Sequence, residues 1–90
     1  MNIKGIINRF DNDLADKIEK IEFLENELLA ITFCDSPDKD YWFRATFTLI
    51  VEEDNIDIDN IECTRYYEGM EDNNLDRNIL DFIYRVDCQL

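Results

Sequence analysis

Apolar residues recur along this chain first with a helical spacing, then with alternation, then with a helical spacing again. Ile3, Ile6, Ile7, Phe10 and Leu14 fall three or four apart, which is one stripe of a helix. Asn2 is placed to cap it, and Gly5 weakens it by about 1 kcal/mol against Ala. The stripe predicts a helix from Asn2 to about Asp16, and the same spacing could carry it through Ile18 and Ile21 to about Leu24. Asn and Asp cluster at Asp11–Asp16 and compete for local backbone hydrogen bonds, which favours a break there.

The pattern then becomes alternating. Ile18–Leu24 and Leu28–Cys34 read as a hairpin around Glu25-Asn26-Glu27, with Ile21 and Phe23 on one face and Leu29, Ile31 and Phe33 on one face. Asn26 suits a turn position with positive φ. Asp35–Asp40, with Pro37 inside it, reads as a polar loop. Tyr41–Val51 alternates most clearly: Phe43, Ala45, Phe47, Leu49 and Val51 face one way, and Trp42, Arg44, Thr46, Thr48 and Ile50 the other. After Glu52–Asn55 turns the chain, Ile56–Tyr67 returns as a fourth strand. Its phase slips between Ile58 and Ile61, which predicts a bulge near Asp59-Asn60. Gly69–Asn74 reads as a turn-rich connector. Leu75, Ile79, Phe82, Ile83 and Val86 then predict a helix from Leu75 to about Asp87, capped by Asn73 or Asn74, with Asp76 in its first turn. The expectation is one α+β domain over residues 1–90, a four-stranded antiparallel sheet flanked by an N-terminal and a C-terminal helix.

Charge changes the picture. The net charge is −13, from 9 Lys and Arg against 22 Asp and Glu. A nucleic-acid binder needs clustered cations, so that class is excluded. An anionic surface equally opposes binding to anionic membranes, and no apolar run is long enough to span one. The acidity is concentrated. Glu52, Glu53, Asp54, Asp57, Asp59, Glu62, Glu68, Glu71, Asp72 and Asp76 face Arg65 as the single cation of their stretch, a net of −9 out of −13. Such a stretch is either a solvated surface or a docking surface for a basic protein, which would relieve its self-repulsion and be steered to it. Trp42, Tyr66 and Tyr67 belong to the same candidate surface. Neighbours on a strand point to opposite faces, so one of the two tyrosines faces away from the core.

Absent residue types exclude more. There is no His, the only Ser is Ser36, and the only glycines are Gly5 and Gly69. No Ser–His or Cys–His pair is available for nucleophilic catalysis, and no Gly-rich phosphate loop can form. Chance carboxylate pairs in so small a domain do not make a substrate cleft, so the expectation is not an enzyme and no cofactor. Asp54–Asn60 lacks the glycine and the closing glutamate of an EF-hand loop, and three scattered cysteines without His are a poor zinc set, so no metal is expected. Cys34, Cys63 and Cys88 show no C-x-x-C spacing. Their odd number, with an N-terminus lacking a signal-type apolar region, leads to free thiols and a cytoplasmic location as expectations.

The stretch DKIEKIEFLENELLAITF, Asp16–Phe33, resembles the acidic segment leading into a first hairpin of small bacterial immunity proteins. It departs from them in carrying Leu14-Ala15-Asp16 where a His-Asp-Ser often precedes that hairpin, and no functional residue carries over. The resemblance implies an intracellular protein that binds and neutralises a cognate toxin, often a nuclease with a cationic site. The expected function is therefore occlusion of a basic partner, foremost as an immunity protein against a nuclease-type toxin. The alternatives are a phage-encoded DNA mimic that inhibits a CRISPR effector or restriction enzyme, and a homo-oligomeric assembly protein pairing through an edge strand.

Overall fold

A computed structural model describes residues 2–53 and 55–90. The chain order is α1 (Ile3–Ile7), α2 (Asn12–Asp16), β1 (Ile18–Glu25), β2 (Leu28–Asp38), β3 (Tyr41–Glu52), β4 (Asn55–Tyr67), β5 (Met70–Asp72) and α3 (Arg77–Gln89). Every sheet neighbour is also the next strand in sequence, so the strands form one antiparallel meander, β1-β2-β3-β4-β5. The α+β class and the flanking helices agree with the sequence. Among the described residues the sheet has five strands, not four.

The fifth strand lies within the stretch read as connector. Glu68 (φ 50°) and Gly69 (φ 85°) are both left-handed, the backbone of a tight two-residue hairpin turn, and Tyr67 pairs with Met70 across it. A side chain at Gly69 would be strained in that conformation.

The N-terminal stripe is divided between two one-turn helices instead of one long helix. Asn2 caps α1, its Oδ1 accepting from the Gly5 N–H at 2.8 Å. Asp11 accepts from the Leu14 N–H at 2.8 Å and starts α2 afresh, so the break falls just before the Asp11–Asp16 cluster rather than within it. Nothing helical continues toward Leu24, because Ile18–Glu25 is β1. The stripe still works as one apolar surface, since Ile6, Phe10 and Leu14 are all buried.

The polar loop is shorter than expected. β2 runs on to Asp38, and only Lys39-Asp40 turns. Pro37 is tolerated because it falls where the β2–β3 register shifts, between Asp35 and Asp38, and owes no N–H to the ladder there. In the first hairpin the positive φ sits on Glu27 (68°), not on Asn26. Helix α3 is capped by Asp76, not Asn73 or Asn74. The Ile79 N–H donates to Asp76 at 2.9 Å, while the Asn74 N–H is already taken by Asp72. The phase slip in β4 is a bulge: Thr48 pairs with Asn60 and Leu49 with Ile58, leaving Asp59 without a partner.

The three helices pack on one face of the sheet. The core joins Ile6, Phe10 and Leu14 to Leu29, Ile31, Phe33, Phe43, Ala45, Phe47 and Leu49, and closes with Ile79, Phe82 and Val86. Phe33 is fully buried at its centre, edge-on to Phe10, Phe47 and Phe82 with ring centroids 5.4–5.6 Å apart. Arg85 ties the two ends of the chain together, donating to Asp11 at 3.0 Å and Asp13 at 2.8 Å. Hydrogen bonds from the Leu14 N–H, Gln89 and Arg85 hold the Asp11 carboxyl down at about 2.

Candidate functional site

Strand alternation decides what the uncovered face presents. On β3 the core residues Phe43, Ala45, Phe47 and Leu49 point to the helices, so Trp42, Arg44, Thr46, Thr48 and Ile50 point away. Register carries the same face to Ala30, Thr32 and Cys34 on β2, and to Asp57, Asn60, Glu62, Thr64 and Tyr66 on β4. Glu71 of β5 sits opposite Tyr66, and Glu52 opposite Asn55 at the far end. Among the described residues no element of the chain packs over this face.

One end of the face is an aromatic and cationic row. Trp42 and Tyr66 stack with centroids 5.7 Å apart and planes 2° from parallel. The Arg44 guanidinium lies 5.1 Å from the Trp42 ring centre. Arg44 is held from its other side by Glu19, through Nε at 2.6 Å and Nη2 at 3.1 Å. These bonds hold the Glu19 carboxyl below its ordinary range and raise Arg44. The Thr32 and Thr46 hydroxyls hydrogen-bond at 2.9 Å in the middle of the face.

The rest of the acidic stretch is divided by its partners. Arg65 points to the helix side, where it holds Asp72 at 2.7 Å and Asp76 at 3.2 Å. Arg65 and the Asn74 N–H lower Asp72. Burial pushes Asp76 up, but the Tyr41 hydroxyl, the Ile79 N–H and Arg65 together outweigh it and leave the carboxyl below its usual range. Tyr41 itself is raised, by burial first and then by its bond to Asp76. Asp72 and Asp76 are thus structural: they fix β5 and the start of α3. Tyr67 also faces the helix side, half exposed, with its ring 6.1 Å from that of Tyr41.

Glu52, Glu53, Asp57, Asp59, Glu62, Glu68 and Glu71 make no ion pair among the described residues. Of these, Glu52, Asp57, Glu62 and Glu71 belong to the uncovered face with Trp42 and Tyr66. Glu53 and Glu68 sit in the turns that close β4, both left-handed, and Asp59 sits in the bulge. Asp54 lies outside the described residues. The structure therefore brings together six of the twelve residues singled out in sequence and sends Tyr67 and Asp72 to the opposite face. It adds Arg44 and Glu19. Arg44 was legible as the residue two on from Trp42 in an alternating strand, while the Glu19 contact depends on the register of β1.

Four of the nine cations, Lys17, Arg65, Arg77 and Arg85, pair with carboxylates outside this surface. Salt should therefore stabilise the free protein. The screening length shrinks from roughly 30 Å at 0.01 M to about 10 Å at 0.1 M, which removes repulsion among the unpaired carboxylates faster than it weakens close pairs. The melting temperature should climb over that range. A flat or falling curve would show that this repulsion is negligible.

The described residues contain no group of three or more His, Cys, Asp or Glu able to hold a metal ion, and no helix long and apolar enough to cross a membrane. Cys34, Cys63 and Cys88 are unpaired, and burial raises the Cys63 thiol. No protein-family model, curated protein or solved structure matches this chain.

Proposed function

We propose that this protein is an inhibitor of a cationic protein, docked on the uncovered sheet face and acting as the immunity partner of a nuclease-type bacterial toxin. The observation that carries this reading is that Glu52, Asp57, Glu62 and Glu71, none with an ion pair among the described residues, share one uncovered face with the stacked Trp42–Tyr66 pair. Carboxylates concentrated in this way cost self-repulsion and are relieved by Lys and Arg of a partner. The same Lys and Arg would otherwise hold nucleic-acid phosphates, so pairing with them blocks the toxin by occlusion. Trp42 and Tyr66 supply large, preordered apolar area at one end of the contact, the type of residue that dominates binding energy.

Charge spacing sets this reading ahead of a DNA mimic. Asp57 and Glu62, the two outward carboxylates on the described part of β4, are four ladder positions apart, roughly 13 Å at 3.3 Å per residue. Phosphates of each DNA strand recur about every 3.4 Å of helix axis. The spacing suits discrete Lys and Arg contacts rather than an imitation of a phosphate backbone.

The test is capture from the native host on the immobilised chain, then assay of the captured protein's nuclease activity with and without added chain. A basic nuclease silenced at one-to-one stoichiometry is the expected result. Capture of an acidic protein, or of a protein whose activity the chain leaves intact, rejects the proposal.

A further inference from the structure

β4 is a long strand with a short neighbour. β5 pairs only with Arg65, Tyr66 and Tyr67. From Asn55 to Thr64 the outer edge of β4 has no main-chain partner among the described residues. Unpaired N–H and C=O groups in such a row are a template for another strand. Beside it, Ile61, Glu62, Cys63 and Thr64 line an open groove of about 560 Å³ together with Asn73 and Leu75. The opposite sheet edge, β1, has register shifts near both its ends and carries Lys20 on the outward row.

The two faces of the free edge differ in chemistry. On the helix side Ile56, Ile58, Ile61 and Cys63 pack against the core and remain only partly buried. On the outward side stand Asp57, Asn60, Glu62 and Thr64. We infer that β4 receives an extended segment of the partner as an added strand, one that alternates apolar residues with Lys or Arg. The apolar residues would cover the isoleucine row, and the cations would lie directly across from Asp57 and Glu62, where opposite charges stabilise a strand pair. A second copy of this chain is the wrong occupant. Antiparallel pairing of β4 with its own copy about Asp59-Asn60 sets Asp57 across from Glu62, and like charges across a strand pair are destabilising. The inference rests on the proposed cationic partner, and it adds the partner's backbone conformation and side-chain pattern.

The probe is a short capped peptide alternating valine and lysine, added to the isotope-labelled full chain. Two further versions carry N-methyl groups on alternate residues, one version for each phase, with identical charge. Only one phase turns its amides toward β4. The expected result is that alternate β4 amides between Ile56 and Thr64 exchange at least about tenfold more slowly with the parent peptide, while β1 amides are unchanged. One N-methylated phase should lose affinity by at least about tenfold and the other should keep it. Equal binding of both phases, with shifts confined to Trp42 and Tyr66, overturns strand addition and leaves the cationic-partner reading standing. Absence of binding by the parent peptide also overturns it, and capture from the host then judges the broader reading. A dimer of the chain alone with these amides already protected would identify a second copy as the occupant and overturn it.

Discussion

Replacing Phe33 by alanine should lower stability by roughly 3–5 kcal/mol, the range for truncating a fully buried aromatic. Phe33 is 0% exposed, and its ring meets three aromatics from different parts of the core: Phe10 before α2, Phe47 on β3 and Phe82 on α3. Truncation therefore leaves a cavity against three rings that cannot all collapse into it. A domain of this size holds only about 5–15 kcal/mol in total, so much of its stability is at stake. At about 4–8 °C per kcal/mol, the melting temperature should fall by roughly 12–40 °C in a thermal melt followed by far-ultraviolet circular dichroism. Phe23→Ala is the matched control. Phe23 lies on the helix-side face of β1 but is 58% exposed, so its loss should cost well under half as much. Similar losses from the two variants would show that Phe33 does not join the layers as described.

That core was largely legible in the sequence because alternation and helical spacing report burial directly. Tyr41–Val51 alternates without a fault, and its partner strand shows its bulge as a change of parity between Ile58 and Ile61. Elements made by turns and caps were less legible. β5 has three residues, too few for a period, and it exists because Glu68-Gly69 reverses the chain tightly enough for Met70 to meet Tyr67. The start of α3 turned on a competition between neighbours: Asp72 holds the Asn74 N–H, and Asp76 is left to cap.

The site divides in the same way. Composition located the acidic stretch, and parity within β4 separates Tyr66 from Tyr67 once the bulge is placed. Which carboxylates are already used could not be read along the chain. Arg65 reaches Asp72 and Asp76 only because a hairpin sets Arg65 opposite Asp72 and α3 begins beside it. The sequence shows one cation in a field of acids, whereas the fold shows that cation wholly committed on the far side of the sheet. On the uncovered face Glu52, Asp57, Glu62 and Glu71 therefore make no ion pair among the described residues.

Reversing two of those free charges should separate a localised surface from a diffuse one. The variant Asp57→Lys with Glu62→Lys should lose affinity for the captured partner by about a hundredfold or more, chiefly through faster dissociation. Close charge pairs across an interface couple by at least about 1.5 kcal/mol, so losing two costs roughly 3 kcal/mol before any new repulsion is added. The control must change net charge equally without touching an ion pair. Asp13 and Glu19 are unsuitable, since they hold Lys17, Arg85 and Arg44. Asp16 and Asp87 are exposed and make no ion pair among the described residues, and they lie on the helical elements. Asp16→Lys with Asp87→Lys should therefore slow association somewhat, and high salt should abolish that difference. Both variants leave the buried core untouched, so each should melt close to the parent, and the Asp57/Glu62 variant should melt slightly higher because repulsion along β4 is relieved. Binding is followed by the fluorescence of Trp42, the chain's single tryptophan, which stands on the same face. Equal losses from the two variants would mean that the partner responds only to total charge, and the uncovered face would lose its claim as the docking site.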